Sequence, residues 1–107
     1  MTTQLTLEIT SSTFDETIQS STPTLIDFWA PWCGPCRALG PTIDKLAADL
    51  QGRAQIAKVN IDDHPDLAAK FGVSSIPTVI VFKDGKPTDK FVGIRPYSEY
   101  FHALDNE

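Results

Sequence analysis

The residues best suited to covalent chemistry are the two cysteines of the chain, Cys33 and Cys36, which Gly34 and Pro35 separate. An apolar, strand-like segment precedes the pair and a segment with helical spacing follows it, so the pair is expected at a strand-to-helix junction. Residues three apart in the first turn of a helix have Cα atoms about 5 to 6 Å apart, which is within disulfide range. The spacing therefore predicts a disulfide that can close and reopen.

The position of the cysteines predicts a redox role more than a structural one. A disulfide that closes so short a loop stabilises a fold by about 2 kcal/mol, against about 3 kcal/mol for a loop of fifteen residues. A helix N-terminus, by contrast, favours a thiolate through its unpaired N–H groups and partial positive charge, and Pro35 is suited to the first helical turn. We therefore predict that Cys33 is the nucleophile and that Cys36, deeper and less exposed, is the resolving thiol.

Two other interpretations of the cysteine pair start from the same residues. The cysteines could be small buried apolar side chains, or they could form half of a zinc site. A structural zinc site usually has four Cys or His ligands, and His64 and His102 are the only histidines. They lack the compact spacing of a zinc finger, so the sequence predicts no metal site and places both histidines on the surface.

Composition limits the classes of protein to which the chain can belong. The chain has 107 residues, of which 41% are hydrophobic and 21% charged, and its formal net charge is -5 at pH 7. One domain over residues 1–107 is expected, and the negative charge disfavours nucleic acid as a partner. The N-terminal residues do not resemble a secretory signal, and no apolar run approaches the ~18 residues of a membrane span. We expect a cytoplasmic protein with no membrane partner, and a monomer as the default state.

The periodicity of apolar residues predicts nine elements in the order β-α-β-α-β-α-β-β-α. A capping box of Ser12 and Asp15 is expected to open the first helix, and Pro41 is expected to kink the second. Alternating strands and helices indicate an α/β fold with helices on both faces of a mixed sheet. The strands are predicted over 5–9, 24–29, 54–61, 76–82 and 88–93, with helices after Ser12, Pro31, His64 and Pro96.

Several segments in order along the chain resemble thioredoxins, and the resemblance covers nearly the whole chain. The segments are Asp27, Phe28 to Cys36, Pro41, Lys58 to Asp62, Ile76-Pro77-Thr78, Phe82 to Gly85 and Gly93. The combination of Trp-Cys-Gly-Pro-Cys with a later Ile-Pro-Thr is specific to that family, whereas two cysteines at this spacing alone are a weak signal. The resemblance implies a thioredoxin fold, a central mixed five-stranded sheet flanked by four helices.

The resemblance also implies catalytic roles for Asp27 and Lys58. Asp27 matches the buried carboxylate that exchanges a proton with the resolving thiol, and Lys58 matches the lysine whose charge couples to it. The residue pattern agrees, because a carboxylate within an apolar strand is desolvated and should have a raised pKa. The alternative is a structural ion pair between Asp27 and Lys58.

The substrate-binding residues implied by the resemblance surround the dithiol. Pro77 matches a cis-proline that leaves the backbone of Ile76 available to an extended client segment. Trp32 is expected to border the client groove, whereas Trp29 packs beneath the active site. Gly34, Pro35 and Gly93 complete the implied set. Ser74 and Arg37 depart from the commoner family residues, arginine and lysine respectively, which leaves the choice of partner open.

The activity implied by the resemblance is the reduction of disulfides in client proteins. Electrons would come from a thioredoxin reductase, with no cofactor besides the redox-active cysteines. A first rival is an oxidase or isomerase of the same fold, but the Gly-Pro dipeptide resembles reducing members with potentials near about -270 mV, whereas strongly oxidising relatives near about -120 mV carry histidine there. A second rival is a binding subunit that clamps a partner with the rim of Trp32, Ile76 and Gly93 irrespective of redox state.

Overall fold

The computed structural model describes residues 6–105, in which strands and helices follow the predicted order. The strands are β1 (Leu7–Glu8), β2 (Thr24–Trp29), β3 (Gln55–Asn60), β4 (Thr78–Lys83) and β5 (Lys86–Val92). The helices are α1 (Phe14–Ile18), α2 (Gly34–Asp49), α3 (Pro65–Lys70) and α4 (Tyr97–Asp105).

The strands form one mixed sheet in the order β1-β3-β2-β4-β5. Strand β3 is parallel to both β1 and β2, whereas β4 is antiparallel to β2 and to β5. Strand β2 is central and its residues Thr24 to Phe28 are buried, because the sheet is covered on both faces. The chain enters α2 directly from β2, which places the cysteine pair at the end of the central strand.

The side chains of β2 alternate between two apolar clusters, one on each face of the sheet. Leu25 packs with α2 and α4, whereas Ile26 and Phe28 pack with α1 and α3. Burial of a Leu or Phe side chain contributes about 1.5–3 kcal/mol to stability, so both clusters hold the helices on the sheet. By the same alternation Asp27 faces α2, the helix that carries Cys36.

The prediction for the first strand is wrong at Leu7. In the strand predicted over 5–9, the sequence alternates Leu5, Leu7 and Ile9 with Thr6 and Glu8, which predicts the three apolar residues on the buried side. Leu5 lies outside the described residues, and Ile9 is buried. Leu7 is 42% exposed, because β1 has two residues and lies at the edge of the sheet. Thr6 is buried instead, and its hydroxyl donates to Oδ1 of Asp44 on α2 at 3.0 Å.

The predicted capping box of Ser12 and Asp15 is also wrong. Helix α1 begins one residue later than expected, with Thr13 as its N-cap, and the Thr13 side chain does not cap the helix. The hydroxyl of Thr13 turns back to accept from the N–H of Thr10 at 3.0 Å, and the Ser12 hydroxyl contacts that of Thr10. The hydroxyls therefore stabilise the turn before the helix.

The hairpin between β4 and β5 has the turn that its sequence predicts. Asp84 and Gly85 have φ angles of 55° and 78°, the positive pair that a two-residue hairpin loop requires. Strand β4 begins at Thr78, two residues later than predicted, directly after the Ile76-Pro77 bond. The first residue of β4 therefore directly follows the Ile76-Pro77 bond, which lies beside the cysteines.

Candidate active site

Cys33 and Cys36 form a disulfide at the N-terminus of α2, with their Cα atoms 5.2 Å apart. Cys33 is the N-cap residue, and its Sγ accepts a hydrogen bond from the backbone N–H of Cys36 at 3.2 Å. Gly34 and Pro35 form the first turn between them. The sulfur of Cys33 therefore lies where helical N–H groups point, and these groups stabilise a thiolate when the bond is reduced.

The expected difference in exposure between the cysteines is small in the disulfide form. Cys33 is 5% exposed and Cys36 3% exposed, and both pack with Ala30 in a cluster that Trp29, Ile61 and Ile76 contact. Both residues are buried, so exposure in this form does not distinguish them. The sulfurs differ more in their contacts, because only Sγ of Cys33 occupies the N-cap position.

Asp27 lies on the face of the sheet that α2 covers, and its side chain is buried. Its Oδ1 has no hydrogen-bond partner among the described residues. Burial raises the pKa of Asp27 from 3.8 to about 7, against the opposing effect of the positive charge of Lys58. A carboxyl group with a pKa near neutrality can take up and release a proton under ordinary conditions.

Lys58 is the neighbour of Asp27 across the sheet, in register on β3. Its ammonium group lies 5.0 Å from the centre of the Trp29 ring. Ion pairs within 4.0 Å among the described residues do not include Asp27 with Lys58. The charge of Lys58 therefore acts on Asp27 at longer range, and the alternative of a close structural ion pair is not observed.

The Ile76-Pro77 peptide bond is cis, as the sequence resemblance implied. It lies beside the disulfide, since the carbonyl oxygen of Ile76 is 3.8 Å from Sγ of Cys33. The backbone N–H of Gly93 donates to the carbonyl oxygen of Pro77 at 2.8 Å. Ile76, Pro77 and Gly93 are thereby brought together next to Cys33.

Trp32 is 66% exposed, next to Cys33. Its indole N–H donates to the carboxylate of Asp62, 3.0 Å from Oδ2 and 3.2 Å from Oδ1. Asp62 reaches this position because the N–H of Ile61 bonds to the carbonyl oxygen of Trp29, which extends β3 alongside β2. Sequence reasoning assigned Asp62 no role; an acidic residue just after a strand parallel to β2 is the signal that could have indicated it.

The clustering of His, Cys, Asp and Glu side chains and the length of the helices bear on metal binding and on membrane spanning. Between residues 6 and 105, no group of three or more His, Cys, Asp or Glu side chains could hold a metal ion. The helices in this range are all too short or too polar to cross a membrane. His64 lies near Ser11, 3.2 Å from its hydroxyl, and His102 is exposed on α4.

This fold, with a redox disulfide at the start of a helix, defines a thiol–disulfide oxidoreductase. A family model described as thioredoxin matches residues 5–106. Thioredoxins of Staphylococcus haemolyticus and Staphylococcus saprophyticus are 52% and 53% identical to this chain over 99 residues, which are 92% of the chain and 94% of each relative. The chain belongs to the thioredoxin family, and it reduces disulfide bonds.

A solved structure supports the same assignment. A mutant thioredoxin from Halobacterium salinarum NRC-1 superposes with a TM-score of 0.86 at 29% sequence identity. The match covers 98% of this chain and 93% of the other. The chain therefore has the thioredoxin fold over nearly its full length.

Proposed function

We propose that Cys33 attacks a disulfide of a client protein and that Cys36 then resolves the mixed disulfide. In the first step the Cys33 thiolate bonds to one client sulfur, and the other client sulfur leaves and takes a proton. In the second step the Cys36 thiolate attacks Sγ of Cys33, the bond between Cys33 and the client breaks, and the Cys33-Cys36 disulfide forms. The client sulfur that was bonded to Cys33 leaves and is protonated. The observation that carries the proposal is the Cys33-Cys36 disulfide at the N-terminus of α2 beside Ile76.

Asp27 accepts the proton of Cys36 as that thiol becomes nucleophilic, and returns it when the disulfide is reduced again. The buried carboxylate and its pKa near 7 support this role. Lys58 limits the rise of that pKa by its positive charge. Without this charge, Asp27 would be protonated over a wider pH range and would accept fewer protons.

The client binds in extended form across the groove beside the disulfide. The groove residues are Trp32, Gly34, Pro35, Ile76, Pro77 and Gly93. Exposed Trp32 supplies apolar contact area, and the backbone of Ile76 supplies hydrogen bonds in the manner of an added strand. The groove contacts are mostly backbone and apolar, which suits a reductase that accepts many client sequences.

The electron donor is a thioredoxin reductase, and no cofactor besides the cysteine pair takes part. The protein works as a single-domain monomer, residues 1–107, in the cytoplasm, where reducing conditions keep the dithiol form available. Family membership supports the donor. No nucleic acid or membrane is a partner, in keeping with the net charge of -5.

Reduction of insulin disulfides tests this function directly. With dithiothreitol as the reductant, the wild-type chain should accelerate insulin precipitation, whereas a Cys33→Ser, Cys36→Ser double variant should not. Repeating the assay with NADPH-linked and with ferredoxin-linked reductases then identifies the donor. A double variant as active as the wild type, or one that retains full function in cells, would favour the binding-subunit alternative and contradict the proposal.

A further inference from the structure

Ile76 lies in a loop, residues 71–77, that connects α3 with β4. The Ile76 side chain is half-buried and packs against the cysteines, whereas Ser74 and Ser75 just before it are exposed. Burial therefore does little to hold Ser74 and Ser75 in place, and segments with few buried contacts open easily. The backbone that leads into Ile76 thus depends on polar contacts for its position.

The side chain of Thr78 supplies such a contact. Its hydroxyl donates to the carbonyl oxygen of Ser75, three residues earlier in the chain, at 2.5 Å. A threonine hydroxyl that bonds to the backbone three residues earlier stabilises a local turn. Ile76 lies inside this turn, and its carbonyl oxygen is 3.8 Å from Sγ of Cys33. The bond therefore closes the turn that places Ile76 beside the disulfide.

Thr78 is itself held firmly by the sheet. It is the first residue of β4 and pairs with Phe28 on β2 and with Val92 on β5. Its side chain is 1% exposed, and the residues from Val79 to Phe82 that follow it are apolar and buried. Burial alone would favour valine, which has the same shape, because a buried hydroxyl is costly unless it is hydrogen-bonded. The bond to Ser75 gives a physical reason for threonine at this position.

We propose that Thr78 is a positioning residue for client binding, because its hydroxyl holds the turn in which Ile76 receives the client. The proposal rests on the function proposed above, in which an extended client segment hydrogen-bonds to the backbone of Ile76. A backbone that is already held in its bound geometry loses less conformational entropy on binding, which raises affinity. Thr78 is buried, so it acts on the client through Ile76 and leaves the cysteine chemistry unchanged.

Thr78→Val tests the role of the hydroxyl, with Thr24→Val as the matched control. Thr24 is also a buried threonine, and its hydroxyl accepts from Nε2 of Gln55 at 3.0 Å. Thr24 lies four residues before Phe28, the β2 partner of Thr78, which is about 13 Å along the strand. Both variants replace a buried hydroxyl by a methyl group in the same sheet. Valine favours strands, so both should fold.

Steady-state reduction of insulin measures the effect on client binding. Thr78→Val should raise KM about tenfold with little change in kcat, which corresponds to about 1.4 kcal/mol and is within the range for one hydrogen bond. Thr24→Val should leave KM unchanged, and Thr78→Ser, which keeps the hydroxyl, should restore most of the wild-type KM. Hydroxyethyl disulfide has no peptide group that could pair with Ile76, so both valine variants should reduce it at the wild-type rate.

Backbone NMR relaxation of the oxidised protein measures the mobility of the loop without a client. The N–H groups of Ser75 and Ile76 should be more mobile in Thr78→Val than in the wild type. Thr24→Val should leave the mobility of both unchanged. A loop that is equally rigid with and without the Thr78 hydroxyl would overturn the proposal.

The kinetic results can overturn the proposal in three further ways. These are an unchanged KM in Thr78→Val, an equal rise in KM in the two valine variants, and equal slowing of Thr78→Val towards insulin and hydroxyethyl disulfide. If Thr78→Val does not fold, Thr78→Ser and Thr78→Ala both lack the methyl group and differ in the hydroxyl, and equal KM values for these two would overturn the proposal. A wild-type chain that does not reduce insulin would instead refute the proposed function, on which the mobility measurement does not depend.

Discussion

Asp27 combines two properties that rarely occur together, burial and, within residues 6–105, a carboxylate oxygen that has no hydrogen-bond partner. Its neighbours in β2 are apolar, so the charged form is poorly solvated, and the proton is held until the pH approaches 7. Such a group destabilises the fold when it is ionised. We therefore infer that its placement facing α2 serves the proposed proton exchange with Cys36 and does not serve stability.

We predict that Asp27→Asn stabilises the protein at alkaline pH and slows its turnover. Because the folded pKa lies above the ordinary value, the contribution of Asp27 to stability is full below about pH 4 and is lost as the pH rises through 7. A pKa difference of about 3 corresponds to at most about 4 kcal/mol. The variant, which cannot ionise, should thus exceed the wild type by about 2–4 kcal/mol at pH 8.5 and by little at pH 4.

Urea unfolding at several pH values measures this difference, and the insulin assay measures turnover. Asp63→Asn is the control, because Asp63 is exposed and its loss should change stability little at any pH. A stability difference that does not vary with pH would contradict the buried-carboxyl account. Turnover equal to that of the wild type near neutral pH would contradict the catalytic role.

The two cysteines should behave differently when each is replaced in turn. Cys36→Ser should still attack client disulfides through Cys33 but cannot release itself, so covalent mixed disulfides should accumulate. Cys33→Ser should trap little, because the remaining thiol lacks the N-cap position that favours a thiolate. Incubation of each variant with cell extract, followed by electrophoresis without reductant, compares the trapped species. Equal ladders from both variants would refute the assigned order.

At the scale of elements, the sequence correctly predicted the strands and helices whose positions are determined by the burial of apolar side chains. It did not predict local structure that is determined by short polar contacts. Strand β2 and helix α2 have long apolar patterns that only one arrangement buries, so their positions were confirmed. At the edge strand and at the start of α1 little apolar surface is at stake, and the hydroxyls of Thr6 and Thr13 decide the local structure instead. The cis bond before Pro77 was expected from the family resemblance, since spacing alone predicts a trans bond.

Within the site, the sequence predicted the geometry of Cys33 and Cys36 but not the position of Asp62. The cysteines are three residues apart, so their geometry follows from one helical turn and could be predicted locally. The contact of Trp32 with Asp62 joins residues thirty apart and depends on how far β3 extends beside β2.

We predict that Asp62→Ala weakens client binding without affecting the chemistry. The bond from Asp62 holds the indole of Trp32 in place at the end of the β3 strand. An exposed hydrogen bond contributes about 0.5–1.5 kcal/mol, which corresponds to a rise in KM of about two- to tenfold with little change in kcat. Steady-state reduction of insulin by the variant and by the control Asp63→Ala measures this. A fall in kcat with KM unchanged would contradict a positioning role.

For the whole molecule, folding and disulfide reduction are linked in one thermodynamic cycle. The difference in unfolding free energy between the oxidised and reduced protein equals the difference in disulfide stability between the folded and unfolded chain. Closure of the short Cys33-Cys36 loop contributes about 2 kcal/mol to the oxidised form. The N-terminus of α2 favours the Cys33 thiolate, which offsets this by about 0.3–1 kcal/mol in the reduced form.

The oxidised protein should therefore be the more stable form, by about 1–2 kcal/mol, and this sign distinguishes a reductase from an oxidase. For a two-electron couple the difference corresponds to about 20–40 mV, so the folded cysteine pair should have a potential lower by that amount than the same pair in the unfolded chain. Strong oxidants of this fold show the opposite sign, because their reduced form is stabilised. Urea unfolding of both redox forms at pH 7 gives the difference by one route, and glutathione equilibration of the folded and urea-unfolded protein gives it by another. A reduced form more stable than the oxidised form, found by both routes, would mean that the chain donates disulfides.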